Sequence, residues 1–225
     1  MTHPAPDRAP DGASVSRRLL LATSGAACAA LGGLAQARQV RPPARTCVFD
    51  GLQPVALTIS GPGIEANRAR TNDTTDRMLV ARGLRFDKAW ACGMDAITSL
   101  EYAQLDIPLE YDDARHRLAG PLLETCLQAA GLDIAAAMRQ GWWLGLYGID
   151  GYRAQMPLAQ AVRWRLMVAT HLDGQQLAVG GLGPLWAIYD ARVPAELAAT
   201  PLKQRFAQAV WGLYYLRISE TQPRD

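Results

Sequence analysis

From Trp142 onward the chain is punctuated at short intervals by residues that reverse a backbone: Asp150-Gly151, Asp173-Gly174 and Gly180-Gly181-Leu182-Gly183. Asp-Gly and Gly-Gly pairs reach positive φ at little steric cost, so each marks a turn. Between and beyond them lie Trp142 to Tyr147, Tyr152 to Met156, Leu166 to His171, Gln176 to Val179, Leu185 to Tyr189 and Val210 to Ile218. These segments are short and most are rich in aromatic or aliphatic residues, which predicts strands. Closely spaced strands of this kind predict a mostly antiparallel sheet.

The upstream half adds helices. Val55 to Ser60 has the content of a strand, stopped by Gly61-Pro62-Gly63, and the polar run Glu65 to Asp76 follows as a surface loop. Asp87 is placed to cap a short helix through Ala89, Trp90 and Met94, because its carboxylate can accept from unpaired N–H groups of a first turn. Tyr102 to Tyr111 alternates loosely and contains Pro108, which predicts an edge strand. Gly120-Pro121 opens the clearest helix, with Leu122, Leu123, Cys126, Leu127 and Ala130 on one face and Gly131 at its end. Further short helices are predicted from Pro157 to Arg163 and from Pro194 to Leu197. The fold class is α+β: a mostly antiparallel sheet with short helices, in a single domain.

The amino end predicts a processed leader. Leu19 to Ala37 has no charged residue, but Gly25, Gly32, Gly33 and many alanines make it too weakly apolar to span a membrane comfortably. Ala35-Gln36-Ala37 supplies a small-x-small cleavage site, so residues 1–37 read as a cleaved signal peptide, 38–46 as an extended tail and 47–225 as the folded domain. Ser16-Arg17-Arg18-Leu19-Leu20-Leu21 resembles the twin-arginine export signal, which carries folded proteins across a membrane. The location implied is the periplasm.

Charge and cysteine content narrow the function. The formal net charge is +2 for all 225 residues; with Arg8, Arg17, Arg18, Asp7 and Asp11 removed it is +1, which gives no electrostatic case for nucleic acid. Cys47, Cys92 and Cys126 remain after cleavage, none in a CxxC or His-bearing metal pattern. Three disulfide pairings are open to them in an oxidising compartment. In their apolar contexts Cys92 and Cys126 read as small buried hydrophobes.

Three ordered segments then carry a family resemblance: Gly151-Tyr152-Arg153-Ala154-Gln155-Met156-Pro157-Leu158, Ala169-Thr170-His171-Leu172-Asp173-Gly174 and Gly183-Pro184-Leu185-Trp186-Ala187-Ile188-Tyr189. Followed by Val210-Trp211-Gly212-Leu213 and Leu216-Arg217-Ile218, they resemble the second half of the sulfite-oxidase-type molybdopterin-binding domain, and more closely its small exported members. The resemblance runs from about residue 55 to 219. It implies a sulfite-oxidase-like molybdopterin-binding fold, a molybdenum-pterin cofactor, and an oxidoreductase that exchanges electrons or an oxygen atom with a small substrate. It also implies a possible membrane redox or sensor subunit as partner. Loading of such a cofactor before export would account for the paired arginines.

In that family a cysteine thiolate binds the molybdenum, and the corresponding position falls near Ser99, within Ile97 to Ile107, where there is no cysteine. No catalytic residue and no metal ligand is therefore assigned. Ser99, Arg153, His171 and Gly183 are expected to line one cofactor cleft, and Arg153, Arg163 and Arg165 are candidates for a pterin phosphate. Alternatively the chain binds no cofactor and uses the same cleft for a small ligand, as a sensory or accessory module. His116, within Asp112-Asp113-Ala114-Arg115-His116-Arg117, reads as part of a solvated loop. Trp142, Trp143, Trp186, Trp211, Tyr147, Tyr189, Tyr214 and Tyr215 read as core or interface.

Overall fold

A computed structural model describes residues 54–112 and 114–223. The leader, the tail and Cys47 lie outside the described residues. In chain order the elements are β1 (Leu57–Ser60), α1 (Arg77–Ala81), β2 (Ala89–Cys92), α2 (Met94–Ser99), β3 (Tyr102–Pro108), β4 (Arg115–Pro121), α3 (Leu123–Ala129) and α4 (Ile134–Arg139). There follow β5 (Trp143–Gly148), β6 (Arg153–Pro157), α5 (Leu158–Arg163), β7 (Met167–Ala169), β8 (His171–Leu172), β9 (Gln175–Gln176) and β10 (Trp186–Ile188). A 3-10 turn (Ala195–Leu197), α6 (Leu202–Arg205), β11 (Val210–Trp211) and β12 (Leu213–Ser219) close the described chain.

The strands form a five-stranded sheet in the order β2-β1-β12-β5-β6, a four-stranded sheet β3-β4-β8-β9 and a three-stranded sheet β11-β10-β7. Every pairing between these strands is antiparallel except β1 with β12. That parallel pair is made between the first and last strands described, so the centre of the large sheet joins opposite ends of the domain.

Alternation along these strands gives the five-stranded sheet two different faces. Leu57, Ile59, Trp90, Cys92, Leu144, Leu146, Met156, Leu216 and Ile218 all belong to the main hydrophobic core. Between them, Thr58, Ser60, Tyr147 and Tyr215 point the other way. Tyr147 and Tyr215 form a second, smaller core with Leu79 and Leu84, to which Phe86 and Tyr214 add partly buried rings. Residues 64–88 thus lie across this second face as a strap, with Phe86 stacked on Tyr215 at a ring separation of 6.2 Å.

Several elements differ from the sequence expectation. Ala89 to Cys92 is a strand, not the helix expected after Asp87; it pairs with β1 from Leu57↔Cys92 to Ser60↔Ala89, and the helix begins only at Met94. A buried edge-to-sheet pairing outweighs the capping residue here. His116 is in β4 and not in a loop. The run Val210 to Ile218 is two strands in two sheets, separated at Gly212, whose φ of +60° places the chain in a region open to glycine. Leu166 to His171 likewise divides into β7 and the start of β8.

Candidate functional site

The strap leaves two cavities on the second face of the five-stranded sheet, one toward each end of the parallel pair. The larger, of about 560 Å³, is lined by the carboxyl ends of β1 and β12 (Ser60, Arg217, Ile218, Ser219) and by Arg85, Phe86, Asp87 and Lys88 of the strap. Clefts beyond the carboxyl ends of parallel strands are favoured ligand sites in open sheets, since no connecting segment fills them. The smaller, of about 350 Å³, is lined by Val55, Ala56 and Thr58 of the incoming chain, by Arg68, Asp76, Met78 and Leu79 of the strap, and by Ile149, Val179, Pro184 and Tyr214. A third cavity, of about 260 Å³, lies elsewhere, between Ile107, Pro108, the Asp190–Arg192 pair, Arg205 and Phe206.

Ser60 lines the larger cavity, and behind it the Ser60 hydroxyl is bonded to that of Tyr215. Ser60 and Tyr215 are 3% and 0% exposed, and their oxygens are 2.5 Å apart. Burial raises the Tyr215 pKa, against the Ser60 hydrogen bond and the Arg217 charge, so the phenol remains protonated at neutral pH. Gly61, at φ +134°, turns the chain directly against β12: a Cβ there would stand 2.1 Å from the Ile218 carbonyl oxygen. No side chain fits at that point, and the end of β1 stays flush with its neighbour.

The smaller cavity is built around an ion pair. Arg68 donates from Nη1 to the Thr58 hydroxyl at 2.7 Å and from Nη2 to Asp76, with side-chain exposures of 18% and 11% for the two charged partners. The guanidinium also lies 5.4 Å from the Phe86 ring centroid, a cation–π distance. Asp76 further accepts from the Asn72 N–H at 2.8 Å. This arrangement ties the strap to β1. Tyr214 enters the cavity from a bulge, where the register between β12 and β5 shifts between Leu213 and Tyr215. Bulges re-aim a side chain, and here the Tyr214 hydroxyl is buried without a hydrogen-bond partner among the described residues. Burial raises its pKa, while Arg82 and Arg153 oppose the shift.

The four cleft residues expected from the sequence occupy three settings. Ser99 ends α2 in an exposed position and donates to the Ala96 carbonyl at 2.7 Å. His171 opens β8; its Nδ1 meets the Thr170 hydroxyl at 2.8 Å, and that hydroxyl meets Tyr102 at 2.8 Å. Gly183 packs against Leu177, whose N–H donates to the Thr170 carbonyl, so His171 and Gly183 lie in adjoining segments. Arg153 is on β6 of the other sheet, donating to the Arg82 carbonyl at 3.2 Å and standing 6.0 Å from the Tyr147 ring centroid. None of the four lines any of the three cavities described. Arg163 pairs with Glu196 at 3.1 Å, and Arg165 follows α5 with a positive φ of 53°.

The donor set does not suit a thiolate-bound metal among the described residues. Position 99 offers a hydroxyl already given to a carbonyl, while Cys92 and Cys126 are 2% and 0% exposed within the main core. No group of three or more His, Cys, Asp or Glu side chains among the described residues is arranged to hold a metal ion.

Sequence reasoning missed Arg68 and Asp76 because Glu65 to Asp76 reads as a polar surface loop, and Phe86 and Lys88 because Asp87 reads as the cap of a helix. A signal was present in the strands themselves: Leu57-Thr58-Ile59-Ser60 and Tyr215-Leu216-Arg217-Ile218 alternate with period two, which gives each strand a second face rich in polar groups.

No protein-family model and no curated protein matches the chain. Among solved structures it is similar to the sulfane dehydrogenase SoxCD from Paracoccus pantotrophus, at a TM-score of 0.46 and 15% identity over 77% of this chain. The chain spans 40% of that protein chain's length.

Proposed function

We propose that this chain is a small-ligand-binding or accessory module on a sulfite-oxidase-like molybdopterin-binding fold, exported to the periplasm by a twin-arginine leader, and that its ligand enters beneath the strap. The observation that carries this is the cavity of about 560 Å³ at the carboxyl ends of the parallel pair, with the Ser60 hydroxyl at its base and the Phe86 ring in its wall. A volume of this order suits a small organic molecule. The metal-carrying oxidoreductase reading requires a soft ligand that the described residues do not supply at position 99.

The two readings separate on cofactor content. Protein purified from the periplasm of a host able to make molybdopterin and to run twin-arginine export is assayed for molybdenum by mass spectrometry and for pterin by fluorescence after oxidation. The binding-module reading expects folded, exported protein with substoichiometric metal and pterin. Near one molybdenum and one pterin per chain overturns it and restores the oxidoreductase.

A further inference from the structure

Resting on the strap-covered face as the binding surface, we infer that the larger cavity recognises an anionic oxyacid group, a sulfonate, phosphate or carboxylate, carried on a neutral or cationic remainder. The register across the sheet brings the recognition groups into one row: Ala89, Ser60 and Arg217 are successive Cα partners on β2, β1 and β12, with Lys88 immediately before Ala89. Neither the Lys88 nor the Arg217 side chain makes a hydrogen bond or ion pair among the described residues, whereas Arg85 is already taken by Asp73 at 2.7 Å. Two cations without hydrogen-bonding or ion-pairing partners among the described residues therefore flank Ser60.

Proton counting at Ser60 points the same way. Ser60 and Tyr215 have one hydroxyl proton each, and the bond between them uses one. With Tyr215 as the donor of that bond, the Ser60 proton is the one left needing an acceptor, and Ser60 lines the cavity. An oxyanion seated there accepts that proton and the charge-assisted bonds of Arg217 and Lys88 together. Phe86 gives the rest of the ligand a flat apolar wall. Asp87 and Glu220 line the same cavity and act as a filter, disfavouring polyanions while tolerating a neutral or positive remainder.

The test is a two-dimensional amide NMR titration of the folded chain at low ionic strength, with sodium sulfate as the anion probe and phenol as the neutral probe. Sulfate is expected to produce saturable shifts confined to Ser60, Gly61, Lys88 and Arg217. Arg217→Gln and Lys88→Gln, both at exposed positions, are each expected to weaken sulfate binding about tenfold with the remaining spectrum unchanged. Shifts that fail to saturate, or that survive in Arg217→Gln, overturn the inference. Saturable phenol shifts around Phe86 without a sulfate response leave the binding face standing and remove the anion assignment. Silence from both probes removes both.

Discussion

Arg68 shows how a single side chain can hold a mostly irregular segment in place. It bonds Thr58, pairs with Asp76 and covers the Phe86 ring, so it joins β1, the start of α1 and the aromatic roof at one point. Arg68→Met keeps the length of the stem but leaves the largely buried Asp76 carboxylate without its cation. The expected loss is about 2–4 kcal/mol in the closing of residues 64–88 onto the sheet, because one partner of a desolvated pair is then uncompensated; hydrogen exchange over that segment should quicken while β5 keeps the parent rate. Gly61 is constrained by space as well as by backbone angle. Gly61→Ala puts a methyl group against the Ile218 carbonyl at a φ of +134°, and a loss of about 2–4 kcal/mol is expected from strain and displacement together. A thermal melt of that variant within one degree of the parent would refute this account of Gly61.

Among elements, the turn between β3 and β4 and the turn between β8 and β9 are joined by His116. Its Nδ1 lies 2.6 Å from Asp173 and its Nε2 2.9 Å from Asp112. Carboxylates only accept, and a neutral imidazole has one N–H, so this geometry requires the doubly protonated ring. The other charges nearby are Arg117, whose N–H donates to Asp173, and the exposed Arg115–Asp106 pair. The hydrogen bonds that His116 donates to Asp173 and Asp112 raise its pKa, and both carboxylates are held below their ordinary value, each first by a backbone N–H and then by His116. A raised histidine contributes stability that is fully present below its ordinary value of about 6.5 and is lost as pH rises through the raised value. The lowered carboxylates contribute above about 4 and lose that contribution as pH falls through their lowered values. The protection factor of the β8–β9 turn amides, the intrinsic exchange rate at each pH divided by the measured one, should therefore be greatest between these limits and fall on the alkaline side, and His116→Gln should abolish that alkaline fall. The same region marks what the sequence leaves illegible. Turn residues located β5, β6 and β10 well, because Asp-Gly and Gly-Pro act locally. The pairing of β4 with β8 that makes His116 a clasp depends on residues 57 positions apart, and β2 is a strand because β1 is beside it. Of the four residues expected to line one cleft, His171 and Gly183 lie in adjoining segments, Arg153 is in a different sheet, and Ser99 ends α2, because which strands and helices meet is decided by pairings far apart in the chain.

Across the molecule, the two cores differ in size and in the order of the chain that builds them. The main core draws on all three sheets and most helices, while the second holds four buried residues with two partly buried rings against them. The strap should open as a separate unit of low stability, since few apolar contacts hold it. Hydrogen exchange read by mass spectrometry is expected to be faster over residues 64–88 than over β5 or β12. Leu84→Ala should accelerate the strap alone; equal acceleration of β5 would mean that the two cores open together. The parallel pairing of β1 with β12 carries this further. β12 sits between β1 and β5 at the middle of the sheet, yet it comes last in the described chain. During synthesis β1 has β2 beside it early but waits for its parallel neighbour until every element from α1 to β11 has emerged from the ribosome, and neither the Ser60–Tyr215 bond nor the bulge at Tyr214 exists before then. The cavity at the carboxyl ends of the pair is in this sense a late product of synthesis: a nascent chain that has reached only β11 has the helices and hairpins described above but not that cavity.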